Sequence, residues 1–276
     1  MDDLQLFTTI RCDPALLDLP EQLRAGAGWN SEPSPFYMLD LHRDRMLRAA
    51  EHWEWEAAAR RLEGEAGLAA LEAVLRADVP GVAAGSPRRA KILLDRAGAL
   101  RVEGGATPAV PVGNLFPARL PAPGAAGDSG GLGGLLERDF GFEVVVDRQA
   151  TAKSALTHFK TTHRPMYDEA RRRAGIVDPA EKREVLLVNG DDGSVMEGSI
   201  TTPYFWRGGV WVTPPIPAVF DMTRGSGGNY GTTRRWALER DLVVEGIVHV
   251  NSLVDGEECW ISNGLKGFVH GKVKLL

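Results

Sequence analysis

Hydrophobic and polar positions divide the chain into two differently patterned halves. Residues 4–12, LQLFTTIRC, are rich in β-branched and aromatic side chains and predict a strand. RAGAGWNSEPSPF, 24–36, is a Gly/Pro/Ser loop, and FYMLDL, 36–41, reads as extended. HRDRMLRAAEHWEWEAAARRLEG, 42–64, consists of strong helix formers and predicts a helix ending at Gly64. AGLAALEAVLRADVPG, 66–81, predicts a second helix, with leucines at 68, 71 and 75 and stop signals at Pro80 and Gly81. RAKILLDRAGALRVEGG, 89–105, predicts strand, turn at Ala97–Gly98, and strand.

The second half is strand-rich. GFEVVVDR (141–148), REVLLVNG (183–190), TTPYFW (201–206) and GVWVTPP (209–215) all predict strands. TTRRWALERDL (232–242) predicts a helix, followed by VEGIVHVNSLV (244–254) and ECWISNG (258–264). Between the halves, residues 107–136 are rich in proline and glycine and poor in core formers, which predicts a linker plus surface loop. The expected organisation is an N-terminal α/β domain at 1–106, that linker, and a larger barrel-like α+β domain at 137–276. The sequence has no internal repeat.

Composition narrows the function classes. At 276 residues with 43% hydrophobic and 25% charged positions, the sequence describes an ordinary globular protein. A net charge of −5 gives no general attraction to nucleic acid or anionic membrane, so an anionic ligand needs local donors. The two cysteines, Cys12 and Cys259, are too few for a disulfide framework or a thiolate zinc site, and no metal is expected. The acidic start and the lack of an apolar run of about 18 residues predict a cytoplasmic protein. Two glycine-rich strings could face phosphate, GSGGNYG (225–231) and SNGLKG (262–267), and neither is a P-loop or a dinucleotide fingerprint.

Read singly, the chemistry-bearing residues have ordinary explanations. Lys160 in LTHFKTTHRPMY is a solvated charge, Glu197 a strand-end carboxylate, Arg45 a helix surface charge and GTTRR a plain helix cap. Four strings in order say more. HRDR places His42 and Arg45 three apart on one helix face; FKTTHR supplies Lys160; MEGSITTPYFW supplies Glu197; YGTTRRWALERDL places Thr232 and Thr233 at a helix start.

This set resembles the class IV aminotransferase family of pyridoxal-phosphate enzymes, fold type IV, over nearly the whole chain from LFTTIR to SNGLKGFV. The resemblance implies pyridoxal 5′-phosphate as cofactor, with Lys160 forming its Schiff base and Lys153 as the fallback amine. It implies that Glu197 faces the pyridine nitrogen, since a carboxylate stabilises the protonated ring. Arg45, Thr232, Thr233, Asn263 and Gly264 are implied phosphate-side residues, through a guanidinium fork and backbone donors. Gly264 stands where relatives often carry threonine, and Pro203 where they often carry asparagine. Relatives often carry an extra hairpin before LFTT, and this sequence starts almost at that strand. Family members pair as homodimers, which is the expectation here.

Within the family the chain is most similar to aminodeoxychorismate lyases, in the form carried by the fungal branch. Branched-chain aminotransferases usually read Phe-Glu-Gly-Ile-Arg where this chain reads Phe-Thr-Thr at 7–9, and in the lyases the second threonine, here Thr9, is credited with proton transfer. The implied reaction converts 4-amino-4-deoxychorismate to 4-aminobenzoate, a folate precursor, and pyruvate. Arg11, His163, Arg164 and Leu265 of the 263–265 turn are candidate partners for the two substrate carboxylates, and Arg11 reads equally as a strand-end charge. The alternatives are a transaminase of D-amino acids or (R)-amines on the same scaffold, alone or as a second activity, and a catalytically idle binding protein.

Overall fold

The computed structural model describes residues 3–19, 32–79, 85–125, 136–138, 141–178 and 180–275. Among the described residues, the strands form one three-stranded and one eight-stranded sheet. The small sheet is an antiparallel meander of β1 (Leu6–Cys12), β2 (Arg88–Leu94) and β3 (Leu100–Ala106). Strand periodicity gives it two unlike faces. Leu6, Ile10 and Cys12 with Ala90, Ile92 and Leu94 are buried against α1 (Leu39–His52), α2 (Glu56–Leu62) and α3 (Gly64–Asp78). Phe7 and Thr9, with Arg89 and Lys91, line a cavity on the other face. The expected turn sits at Gly98, whose φ of 85° suits glycine and whose Cβ would meet Ala57 O at 2.9 Å.

The larger sheet runs β6 (Val195–Gly198), β5 (Arg183–Asn189), β4 (Phe142–Thr151), β11 (Gly267–Lys274), β10 (Glu258–Asn263), β7 (Thr202–Arg207), β8 (Val210–Thr213) and β9 (Val244–Glu245). β4 pairs parallel to both β5 and β11, and β8 parallel to β9, while the remaining neighbours are antiparallel. The two ends approach each other. Val195 N donates to Val248 O at 2.8 Å and Val250 N to Gly193 O at 3.1 Å, so β6 meets the segment that follows β9 and the sheet curls. Inside the curl, Val144, Leu186, Phe205, Cys259 and Ile261 form one buried cluster.

Several sequence expectations are corrected. FYMLDL is not extended: Met38 adopts a left-handed turn with φ of 55° and the helix begins at Leu39, because Leu39, Met46, Ala49 and Ala50 bury one helical face. The single helix expected at 42–64 is two. It breaks at Trp53–Trp55, where Glu54 has a φ of 54° and Trp55 turns into the core, so packing of the indoles overrides helix propensity. Gly64 starts α3 instead of ending a helix, and α3 stops at Asp78; the stop signals Pro80 and Gly81 lie outside the described residues. Much of the 24–36 loop and the 107–136 segment also lies outside them. The described part of the latter includes α4 (Val112–Leu115), and Leu115, Phe116 and Leu120 are buried in a core with Trp236 and Phe268. Of 244–254, only Val244–Glu245 is strand. No described helix is long and apolar enough to cross a membrane.

Candidate active site

A cavity of about 280 Å³ opens between the small sheet and the curled sheet. Lys160, Glu197, Arg45, Thr9, Arg164, Thr232, Thr233, Asn263, Gly264 and Leu265 all line it. Residues from distant stretches of sequence therefore share one wall-to-wall space.

Lys160 follows the one-turn helix α5 (Ala155–His158), which a capping box of Ser154 and Thr157 stabilises. The lysine is fixed by backbone pairing to the start of β1: Phe7 N donates to Lys160 O at 3.0 Å and Thr162 N to Gln5 O at 2.9 Å. Its Nζ stands 4.8 Å from the Phe7 ring centroid. Burial pushes this amine well below the ordinary lysine range, and the nearby Arg164 and Arg45 push it the same way, while Glu197 and Glu184 oppose. The shift favours the neutral amine, which is the nucleophilic form. Lys153 is not its substitute. Its Nζ pairs with Asp191 at 3.0 Å and it is not among the cavity residues.

Glu197 lies on β6 opposite Leu187 of β5. It accepts a 2.6 Å hydrogen bond from the Tyr167 hydroxyl, on α6 (Pro165–Arg173). Burial raises its carboxyl to about 7, with the Tyr167 and Asn229 hydrogen bonds and the charges of Lys160 and Arg164 pulling the other way. A buried carboxylate held by neutral donors favours a cationic N–H partner. A protonated pyridine ring nitrogen has that chemistry.

The far end of the cavity is a cup of donors. Arg45 projects from α1, donates to Thr8 Oγ1, and reaches Asn229 Oδ1 at 3.5 Å. Its Nε is buried without a partner among the described residues, as is Thr232 Oγ1 at the first position of α7 (Thr232–Leu238). Burial lowers Arg45 to about 10, with Glu197 opposing, which leaves a full positive charge at neutral pH. Thr233 Oγ1 and Ser262 Oγ lie 2.7 Å apart, and Ser262 Oγ is 2.7 Å from the Tyr204 hydroxyl. A cationic guanidinium with unfilled donors around it fits a phosphate group. Amine, carboxylate and cup thus match the three ends of pyridoxal 5′-phosphate.

The remaining sequence candidates divide. Thr9, half-buried on the cavity face of β1, has no side-chain partner among the described residues. Arg164 stacks 4.1 Å from the Tyr167 ring centroid and donates to Ser199 O at 2.7 Å. Asn263 holds its turn: Oδ1 accepts from Leu265 N at 3.0 Å and Lys266 N at 2.8 Å. Arg11 and His163 are not among the cavity residues. Arg11 is fully buried and donates to Asp13 Oδ2 at 2.6 Å, Pro108 O at 2.9 Å and Leu265 O at 3.3 Å, so it ties the turn to β1. His163 is exposed. Pro203 pairs across the sheet with Ile261 and lies outside the cavity lining.

Sequence reasoning missed Tyr167, Asn229, Arg89 and Lys91. It also missed Glu184, which accepts from Ser199 Oγ at 2.6 Å and Thr201 Oγ1 at 2.8 Å and so shapes the 199–201 wall. The alternation of β2 could have placed Arg89 and Lys91 on the face shared with Thr9, because Thr9 pairs with Lys91. Nothing local signals Tyr167.

The model of the amino-transferase class IV family matches residues 28–272. The chain belongs to that family. Its enzymes depend on pyridoxal 5′-phosphate, and their fold type IV is the α+β arrangement described above. The chain is 31% identical over 157 residues to the aminodeoxychorismate lyase of Saccharomyces cerevisiae, a match covering 51% of this chain and 40% of the yeast protein. A candidate amino-acid aminotransferase of Mesorhizobium loti superposes with a TM-score of 0.61 at 20% identity, over 99% of this chain and 100% of its own. A hypothetical aminotransferase of Mycobacterium tuberculosis, in an α-ketoglutarate- and PMP-bound form, gives 0.60 at 15% identity, over 98% and 81%.

Proposed function

We propose that this family member is a 4-amino-4-deoxychorismate lyase that uses pyridoxal 5′-phosphate to release 4-aminobenzoate and pyruvate. The observation that carries the reading is Thr9. A hydroxyl with no partner among the described residues stands in the same cavity as the buried amine and carboxylate, at the position where the lyases carry their second threonine. The partial match to the yeast lyase supports it. When bound, the cofactor supplies an electron-accepting ring conjugated to the substrate nitrogen.

The residues have separable tasks. Lys160, whose burial favours the neutral amine, would hold the cofactor through its Nζ. The same Nζ, when free, would take the proton from the substrate ring carbon that bears nitrogen. Glu197 would stabilise a proton at the pyridine nitrogen, and Tyr167 orients the carboxylate. Arg45 and Thr232 would hold the phosphate, and Arg164 at the cavity wall would offer a cation to a substrate carboxylate. Thr9 would relay the proton that Lys160 took up to the methylene carbon of the departing enolpyruvyl group, which leaves as pyruvate. The C–O bond to that group breaks as the substrate ring becomes aromatic, so atoms and charge balance without a further reactant.

The test is turnover of aminodeoxychorismate by the purified, cofactor-loaded protein, followed by 4-aminobenzoate fluorescence. Incubation with D-alanine, followed by absorbance of the pyridoxamine form, is run alongside. Release of 4-aminobenzoate at many turnovers per minute supports the lyase. Rapid pyridoxamine build-up with no 4-aminobenzoate refutes it in favour of a transaminase. We propose a homodimer as the working assembly, to be read by light scattering.

A further inference from the structure

Glu184 lies on β5 with only 1% of its surface exposed. It is not among the cavity residues, yet it holds part of the cavity wall. Its Oε1 accepts from Val185 N at 2.9 Å, Ser199 N at 3.0 Å and Ser199 Oγ at 2.6 Å. Its Oε2 accepts from Ile200 N at 3.3 Å and Thr201 Oγ1 at 2.8 Å. These donors are all neutral, and all but Val185 belong to the 199–201 loop between β6 and β7. Ser199, Ile200 and Thr201 line the cavity. Gly198 leaves room for the carboxylate, since a Cβ there would stand 3.0 Å from Glu184 Cδ.

Ser199 is the junction between this carboxylate and the cavity. Arg171 Nη1 donates to its Oγ at 3.2 Å, and a guanidinium can only donate, so the hydroxyl proton is directed to Glu184. The Ser199 N–H is shared between Glu184 Oε1 and Val185 O. With donor and hydroxyl both committed, its carbonyl accepts from Arg164 Nη2 at 2.7 Å. Arg164 is thereby held between that carbonyl and the Tyr167 ring. Ile200 is gripped on both sides as well: its N–H goes to Glu184, and its carbonyl accepts from Asn263 Nδ2 at 3.2 Å. A link of hydrogen bonds thus runs from a carboxylate outside the cavity to a cation on its wall.

We propose that Glu184 is a positioning residue. It fixes the 199–201 loop and, through the Ser199 carbonyl, aims the Arg164 guanidinium at a carboxylate of the substrate. The inference rests on the reading of Arg164 as a substrate cation, and names the residue that sets its direction. Charge and position predict opposite signs here. Glu184 is near enough to oppose the lowering of the Lys160 amine, so its negative charge repels an anion bound in the cavity. Removing that charge while keeping the geometry would tighten an anionic ligand; releasing the guanidinium loosens it.

The full-length, cofactor-loaded protein is titrated calorimetrically with chorismate, which carries both carboxylates of the proposed substrate and a hydroxyl in place of its amine. Affinity is expressed per bound cofactor. Glu184→Gln is nearly isosteric but turns an amide nitrogen toward groups that need an acceptor, so it should bind chorismate roughly ten- to a hundredfold more weakly. Arg164→Ala should weaken binding by a similar factor. The double variant should bind about as Arg164→Ala does, because Glu184 acts through that guanidinium. Where Glu184→Gln does not fold, Ser199→Ala takes its place in the cycle, since it removes the hydroxyl through which Glu184 holds the loop. Equal or tighter binding by the first variant, no loss from Arg164→Ala, or losses that multiply in the double variant overturns the role of Glu184 and leaves the lyase reading standing. A wild-type protein that takes up pyridoxal 5′-phosphate and binds no chorismate overturns the substrate reading, and this inference with it.

Discussion

Replacing Glu197 by glutamine should stabilise the apoprotein at alkaline pH. In the folded chain, burial raises this carboxyl from 4.5 to about 7. In the unfolded chain it returns to the ordinary value. Between pH 4.5 and 7 the unfolded state therefore releases a proton that the folded state keeps, and folding stability falls as pH rises through that window. Below it the group is neutral in both states and costs nothing. Above it the cost is fully present. A shift of that size, at 1.36 kcal/mol for each pH unit, gives about 3 kcal/mol as a ceiling. Glutamine is nearly isosteric, still accepts from the Tyr167 hydroxyl, and carries no charge to desolvate. Lys160 works with the opposite sign, since its lowered pKa favours folding as pH rises, and it is present in both proteins.

The assay is therefore a difference. Thermal or urea unfolding of the wild-type and Glu197→Gln apoproteins is compared at pH 5 and pH 8. The variant should gain on the wild type between the two, by up to about 3 kcal/mol, or roughly 5–10 °C in Tm. The same variant should hold pyridoxal 5′-phosphate more weakly, because the charged partner of the ring nitrogen is gone. An opposing pair of results, stability gained and cofactor lost, is the signature of a carboxylate kept for chemistry and not for folding. If the difference between the two proteins is flat from pH 5 to 8, Glu197 is hydrated in solution and the argument for a buried acid opposite Lys160 fails.

Thr9→Ala should lower lyase turnover by about 10²–10⁴-fold, the usual worth of a general acid, and leave the bound-cofactor absorbance unchanged; unaltered turnover removes the reason for preferring a lyase. Lys160→Met should abolish borohydride-stable labelling by pyridoxal 5′-phosphate, with the peptide containing residue 160 carrying the label in the wild type. Because the buried amine resists protonation, the same variant should unfold at higher temperature than the wild-type apoprotein at neutral pH, and the advantage should shrink as pH rises toward 10.5. Arg89→Ala, at the cavity wall, should raise KM for the dicarboxylate substrate with little change in kcat; an unchanged KM places the substrate carboxylates elsewhere.

Much of the site was legible because its chemistry needs rare residue types in a fixed order. A lysine, a glutamate, an arginine and a Gly-Thr-Thr turn announce themselves by identity, and each lines the cavity. What stayed hidden depends on distance in space. Tyr167 matters because α6 packs on β4 and β5 and delivers its hydroxyl to Glu197 on the neighbouring β6, and no string spacing encodes that meeting. Arg11 looked like a substrate ligand because charge at a strand end is ambiguous; the fold uses it to tie β1 to the 108 and 265 backbones. The helix breaks at Trp53–Trp55 were equally invisible, since alanine, glutamate and arginine on both sides favour continuation and only the burial of Trp55 argues against it. Strand identity was easier, as runs such as EVVV and EVLLV have no stable alternative in a buried sheet.

The pair Thr8–Thr9 shows why one short string could hold two separate parts of the site. Adjacent residues of a strand point to opposite faces, so a Thr-Thr dipeptide on β1 must place one hydroxyl on each side. Thr8 is fully buried under α1, where it accepts from Arg45 and faces His42 Nδ1, and so belongs to the phosphate end. Thr9 stands on the cavity face beside Phe7, and Phe7 in turn packs near the Lys160 amine. The register of β1 is set twice, by pairing with β2 from Leu6↔Leu94 onward and by the backbone bonds to residues 160–162. A slip of one residue would exchange the two threonines and send Leu6 into the cavity. The strand that carries the proposed proton donor is thus also the strand that orients the lysine and buttresses the arginine, which couples the substrate and cofactor ends of the site through seven residues of backbone.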